Sequence, residues 1–244
     1  MKLTTVGFWG AYPRANEATS CYLVQDEDTR IVLDCGSGAL SRLQNYVQLN
    51  ELDAVFISHT HADHIADIYC LEYAMFVQRQ LGNRKTPLDV YIYTDELNTL
   101  TFSYPEALNV QQIHVTDNIQ VGSLSVTFSE NVHDIPCCSM KITNRMGQTL
   151  VYSGDTGYTD SLIQFAKGVN VLLIECSLYK KQQGLFTGHL ASNEVGKIAQ
   201  QANVEQVVLT HFPHYGHLDQ LKEEVCQFFN KKVYDAKEGF SITI

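Results

Sequence analysis

The apolar run Val55-Phe56-Ile57 passes directly into Ser58-His59-Thr60-His61-Ala62-Asp63-His64, and a helical pattern follows from Ile65. Three imidazoles and one carboxylate thus crowd a single strand-to-helix turn. Neutral imidazoles and carboxylates are the donors that a borderline divalent ion such as Zn²⁺ takes. In extended chain, His59 and His61 point to the same side. Asp63 and His64 lie further on and can face a different point. The spacing therefore predicts two adjacent metal ions rather than one tetrahedral cage. A solvated polar loop is the competing reading, and four donor-type side chains directly after an apolar strand argue against it.

The rest of the chain alternates short β-rich runs with helical patterns. Strands are predicted at 3–8, 20–25, 31–34, 54–57, 89–93, 111–115, 124–129, 139–143, 149–152, 171–175, 206–209, 232–234 and 240–244, from their β-branched and aromatic content. Helices are predicted at 39–48, 64–80, 95–103, 158–166, 192–201 and 218–230, the fifth opening on Ser192 and Asn193, both good capping types. No linker, repeat or low-complexity tract interrupts residues 1–244, which read as one domain. This order suits an α/β (α+β) fold with two sheets packed face to face and helices outside.

His59-x-His61-x-Asp63-His64 resembles the H-x-H-x-D-H signature of the metallo-β-lactamase superfamily, and the resemblance spans essentially the whole chain. It implies a four-layer αβ/βα sandwich of two mixed sheets with a dinuclear site on one edge. It also implies the remaining ligands, each at a strand end: His133 after 126–129, Asp155 in Ser153-Gly154-Asp155-Thr156-Gly157, and His211 after Val207-Val208-Leu209-Thr210. His59, His61 and His133 would hold one ion, Asp63, His64 and His211 the other, with Asp155 bridging. Asp34, in Asp34-Cys35-Gly36-Ser37-Gly38, would be a carboxylate that fixes a ligand imidazole from behind; its plain alternative is a turn residue.

Within the superfamily, His61 departs from the H-x-E-x-D pattern of di-iron oxidases and so argues for hydrolysis. A bridging Asp155 with Asp63-His64 is similar to the phosphodiesterase, lactonase and thioesterase-like branches. Thr187-Gly188-His189-Leu190-Ala191-Ser192 resembles a turn of the ribonuclease Z branch whose histidine protonates the leaving group; His189 reads either as that acid or as a cap on the following helix. The opening Gly10-Ala11-Tyr12-Pro13 is also similar to that branch. The Gly/Pro-rich arm with which ribonuclease Z enzymes grip tRNA is missing between His133 and Asp155, where 140–149 reads as a hairpin. Lys180-Lys181 is a basic pair near the predicted rim, and Tyr12, Phe186, Phe212 and Tyr215 could line a base-stacking pocket or simply pack. His214 and His217 read as surface or helix-start residues.

The formal net charge of −10 offers no Lys/Arg stripe for gripping a polyanion. Two divalent ions would nonetheless make the cleft positive, so a short phosphodiester fits the composition. The expected function is hydrolysis of a small or cyclic nucleotide or an RNA-end phosphodiester by a hydroxide shared between two ions ~3.5–4 Å apart. Asp63 would hydrogen-bond the nucleophile, and His189 would act as acid. Zn²⁺ is the default metal, with Mn²⁺ or Fe²⁺ as alternatives. The competing functions are a carboxylic ester, lactone or thioester hydrolase, a tRNA 3′-processing endonuclease, and a non-catalytic metal-binding protein. Seven cysteines without a C-x-x-C pair predict reduced thiols. An N-terminus without a signal-peptide pattern predicts a cytoplasmic location. No run approaches the ~18 apolar residues of a membrane span. A homodimer is implied by the resemblance only.

Overall fold

A computed structural model describes residues 1–244. Strands β1 (Lys2–Gly7), β2 (Cys21–Asp26), β3 (Thr29–Leu33), β4 (Ala54–Ile57), β5 (Leu88–Ile92) and β6 (Leu108–Gln112) lie side by side in chain order. The C-terminal β14 (Ser241–Thr243) flanks β1 to complete a seven-stranded sheet. The second sheet also has seven strands: β7 (Asn118–Val121), β8 (Leu124–Glu130), β9 (Cys138–Asn144), β10 (Thr149–Tyr152), β11 (Val171–Glu175), β12 (Gln206–Thr210) and β13 (Lys232–Asp235). Both are mixed. β1–β3 and β7–β10 pair antiparallel, where short turns suffice; β3–β6 and β10–β13 pair parallel, across longer connections.

Alternation along the strands builds the layers. Tyr22, Val24, Ile31, Leu33, Ala54 and Phe56 face inward against Val126, Phe128, Met140 and Ile142 of the second sheet. Their neighbours Leu23, Val32, Val55 and Ile57 face outward, against Leu43 of α1 (Ala39–Leu43) and Ile68, Leu71 and Met75 of α3 (Ile68–Gln80). On the far side, α4 (Asp160–Phe165), α5 (Ser192–Gln201) and α6 (Leu218–Cys226) cover the second sheet through Leu162, Val195, Ile198, Leu221 and Val225. The result is the expected sandwich, four layers deep. At one edge the chain after β1 ties the sheets together: Trp9 bridges both Thr19 and Phe212, and Gly10 N–H donates to the Phe212 carbonyl at 3.1 Å.

Several elements depart from the sequence reading. The helix expected over 64–80 is split into α2 (Ala62–Ile65) and α3. Cys35 N–H takes the His64 carbonyl at 2.8 Å, the acceptor a continuous helix would need, and Asp67 N–H bonds Cys35 O at 3.0 Å. The helix expected over 39–48 stops at Leu43, and the one expected over 95–103 is only a 3₁₀ turn at Leu97–Thr99. β6 lies a few residues earlier than expected, and the half-polar edge strand β7 was too short to show a pattern. α5 is preceded by Ala191, whose N–H is bonded by Glu194, while Ser192 Oγ reaches across to Glu224. All seven cysteines are unpaired, and no helix is long and apolar enough to cross a membrane.

Candidate metal centre

The expected site residues meet on the edge that Trp9 ties together. His59 follows β4, His61 and Asp63 surround the start of α2, His133 follows β8, Asp155 follows β10, and His211 follows β12. Each therefore leaves the end of a strand whose neighbours are locked by the ladder. His211 and Asp34 both take left-handed backbone, φ 54° and 56°. For His211 that conformation is costly, and it persists because the packing around it over-determines it.

Two clusters form. The ring nitrogens His59 Nε2 and His133 Nε2 each lie 3.1 Å from His61 Nδ1. His211 Nε2 lies 3.1 Å from Asp63 Oδ2, and His64 Nε2 lies 3.6 Å from the same oxygen. Asp155 Oδ2 stands between them, 3.8 Å from His59 Nε2, 3.4 Å from His64 Nε2 and 3.2 Å from His211 Nε2. One carboxylate thus faces both clusters.

The imidazoles are held from behind. His64 Nδ1–H donates to Asp34 Oδ2 at 2.6 Å, and Asp34 also accepts from Ser58 N–H, Ser58 Oγ and Tyr152 Oη. His59 Nδ1 meets Ser58 Oγ at 3.0 Å, His133 Nδ1 meets the Gly188 carbonyl at 3.0 Å, and His211 Nδ1 meets Ser177 Oγ at 2.9 Å. These contacts fix a proton on Nδ1 and turn Nε2 toward the centre. His61 is inverted: it presents Nδ1 inward and turns Nε2 toward Asp134, 3.7 Å away.

Glycines give the rings room. A Cβ on Gly10 would lie 2.7 Å from His211 Cε1, and one on Gly188 would lie 2.7 Å from His133 Nδ1.

The donors fit divalent cations. Asp34, Asp63 and Asp155 are buried and pair with imidazoles alone, with no lysine or arginine beside them. Burial lowers the basicity of His64 and His211, yet the nearby carboxylates outweigh it and hold both above the ordinary imidazole range. Two buried atoms, His64 Nε2 and Asp155 Oδ1, have no hydrogen-bond partner. Buried polar atoms without partners are costly, and an ion between these side chains would give His64 Nε2 a partner.

His189 stands beside this centre. It does not cap α5; its Nδ1 contacts the buried Glu175 carboxylate at 3.2 Å and lies 4.0 Å from Asp155 Oδ2. Glu175 ends β11 and also takes Thr156 N–H and Ser177 Oγ. The sequence reading passed over Glu175, Ser58, Ser177 and Tyr152; the one signal was a carboxylate ending the apolar run Val171–Ile174. Lys180 is not at the rim. Its Nζ bonds Gln227 and lies over the Phe228 ring, beside α6. His214 is not a plain surface residue either, since it is stacked between Trp9 and Tyr12.

Two stacked mixed sheets with this edge define a metal-dependent hydrolase. A β-lactamase superfamily domain profile matches residues 29–212, so the chain belongs to that superfamily. It is 39% identical to the "Probable metallo-hydrolase YhfI" of Bacillus subtilis over 98% of both chains. The crystal structure of that metallo-β-lactamase fold protein superposes with a TM-score of 0.94, at 38% identity, over 99% of this chain and 98% of the other. A ribonuclease Z from Methanopyrus kandleri is 24% identical over 98% of this chain and 96% of its own. A diphosphatase of the PhnP family shares the fold alone, with a TM-score of 0.73 at 16% identity over 100% of this chain and 97% of that one.

Proposed function

We propose that this chain is a dinuclear phosphodiesterase acting on a small or cyclic nucleotide or an RNA-end phosphodiester. The observation that carries the reading is His189, whose Nδ1 is anchored on buried Glu175 while no protein group bonds its Nε2. An imidazolium so placed is an acid for a poor alkoxide leaving group. His59, His61 and His133 would hold one ion and Asp63, His64 and His211 the other, with Asp155 shared; Zn²⁺ suits the donor set. When bound, such a pair supplies Lewis acidity to the phosphoryl oxygens and water of lowered pKa near neutral pH.

The protein's own groups do the rest. Ala11 N–H donates to Asp63 Oδ2 at 2.7 Å and fixes that carboxylate at the centre, within reach of an attacking water. As the phosphorus–oxygen bond to the leaving group breaks, the His189 Nε2 proton passes to the departing oxygen, and Glu175 stabilises the imidazolium beforehand. The ribonuclease Z relative supports phosphoester chemistry. Between His133 and Asp155 the chain has only β9, a tight turn and β10, which disfavours the tRNA-gripping reading.

The test is a panel on metal-analysed protein: bis-nitrophenyl phosphate, 2′,3′- and 3′,5′-cyclic nucleotides, a pre-tRNA, a lactone and a thioester. The reading expects turnover of the small diesters. His189→Ala should keep the metals and lose roughly 10²–10⁴-fold with an alkyl leaving group, but much less with nitrophenolate. Preferential turnover of the lactone or thioester overturns it, and equal loss with both leaving groups removes the acid role.

A further inference from the structure

Next to His189 and His211 opens a cavity of about 340 Å³ with a mostly apolar lining. Tyr12 and His214 on one wall belong to a stack of three rings backed by Trp9. Buried Trp9 lies 4.9 Å from His214 at 22°, and Tyr12 lies 3.7 Å from His214 at 8°. His214 Nε2–H donates to the carbonyls of Tyr12 at 2.6 Å and Gly10 at 3.1 Å, which locks the middle ring. Tyr12 ends the stack and is 58% exposed, with no further ring packed on it. Phe186 and Tyr215, also exposed, line the same cavity.

The stack is tied to the chemistry. Ala11, at φ 64°, sends its N–H to Asp63, and Gly10 packs on the His211 ring. Tyr12 therefore follows, one residue on, from a backbone fixed by two residues of the metal centre. On the other side of His189 lies a second cavity, of about 480 Å³, that includes His61, His133 and the exposed Asp134. Asp134 makes that side unfavourable for further anionic groups. The two cavities share His189 and Phe186, so a diester with its phosphate at the centre would have one cavity for each arm.

An exposed tyrosine face held rigidly beside a phosphoester centre suits a flat aromatic group, because every nucleobase has a π-face and stacks without base-specific hydrogen bonds. We propose that Tyr12, carried on the Trp9–His214 stack, is the platform for a nucleobase, so that the substrate class is a nucleoside-bearing phosphodiester with its base in the apolar cavity. The inference rests on the phosphodiesterase reading and names which arm of the diester carries the base.

Isothermal titration of the metal-loaded protein with adenosine 5′-monophosphate and ribose 5-phosphate tests the platform without turnover. The nucleotide should bind about 5- to 150-fold tighter, the worth of one stacked base. Tyr12→Ala should bring that ratio near unity and leave ribose 5-phosphate unchanged, while Tyr12→Phe should keep it. Equal binding of the two compounds by the unaltered protein overturns the platform, as does a ratio that survives Tyr12→Ala or failure of both to bind. The panel assay reports on the phosphodiesterase reading separately. Diester turnover with no base preference in the titration sinks the platform alone.

Discussion

The Glu175 carboxylate and the His189 imidazole meet at 3.2 Å, one fully buried and the other at the mouth of two cavities. Burial lowers the imidazole's basicity, but the Glu175 charge and hydrogen bond, with Asp155 behind them, outweigh it and hold the His189 pKa at about 9. In the proposed mechanism the protonated form is the acid, so the rate for a diester with an alkyl leaving group should fall as pH rises through the His189 pKa, which bound ions on Asp63 and Asp155 would bring below its metal-free value. Glu175→Gln keeps the shape and removes the charge, so the alkaline limb should move to lower pH. A kcat profile against pH reads this directly, and an unmoved limb would break the link between the two residues. The pair's contribution to folding stability has the same sign: it is complete below the ordinary imidazole pKa of ~6.5 and fades as pH climbs toward 9.

Asp155 is the carboxylate that faces both clusters, so Asp155→Ala should cost metal at both. The expected outcome is protein that folds, binds less than its full complement by elemental analysis, and melts at a lower temperature in the presence of metal. Ions that bind only the native state stabilise by mass action, so chelation of the unaltered protein should lower its melting temperature as well. Unchanged metal content in the variant would exclude the shared role.

Gly10 leaves no space for a methyl group against His211. Gly10→Ala should push the ring away from Asp63 and Asp155 or strain the bridge to Phe212, at about 1–3 kcal/mol for the overpacking. Weaker binding at the Asp63–His64–His211 cluster, with the His59–His61–His133 cluster retained, is the measurable result by metal titration. Full affinity at both clusters would show that the loop yields freely.

Phe56 is buried on the inner face of β4, stacked on Tyr91 at 4.9 Å and packed near Phe128 of the second sheet. Phe56→Ala removes the ring from the contact between the sheets and should cost about 3–5 kcal/mol of unfolding free energy. Denaturant unfolding followed by circular dichroism measures it. A loss under 1 kcal/mol would mean that the sheets close over the gap.

The part of the site after β4 was legible because its residues fall within a single turn of chain. His59, His61, Asp63 and His64 sit on one turn, and the strand before them is too apolar to lie anywhere but inside. Asp155 and His211, each bland when read alone at the end of an apolar strand, were picked out by the resemblance to the superfamily pattern, while the order of strands and helices already suited two sheets packed face to face. The 64–80 helix was not fully legible, because its break depends on the His64 carbonyl bonding Cys35, a residue far back in the chain.

Sequence alone determined the cluster of donor-type residues after the strand at 54–57 and the two-sheet class, since these follow from local composition and the order of strands and helices; His133, Asp155 and His211 were picked out by the resemblance to the metallo-β-lactamase superfamily. Only the tertiary structure decided what stands behind and beside those ligands. Glu175 meets His189, Ser177 meets His211, Asp34 meets His64, and Tyr12, His214 and Trp9 form one stack. Each of these contacts joins residues well apart in the chain, and no period or spacing in a single sequence encodes a distance across two packed sheets. The packing of the sheets sets those distances, and with them which imidazoles are held from behind and which faces stay open.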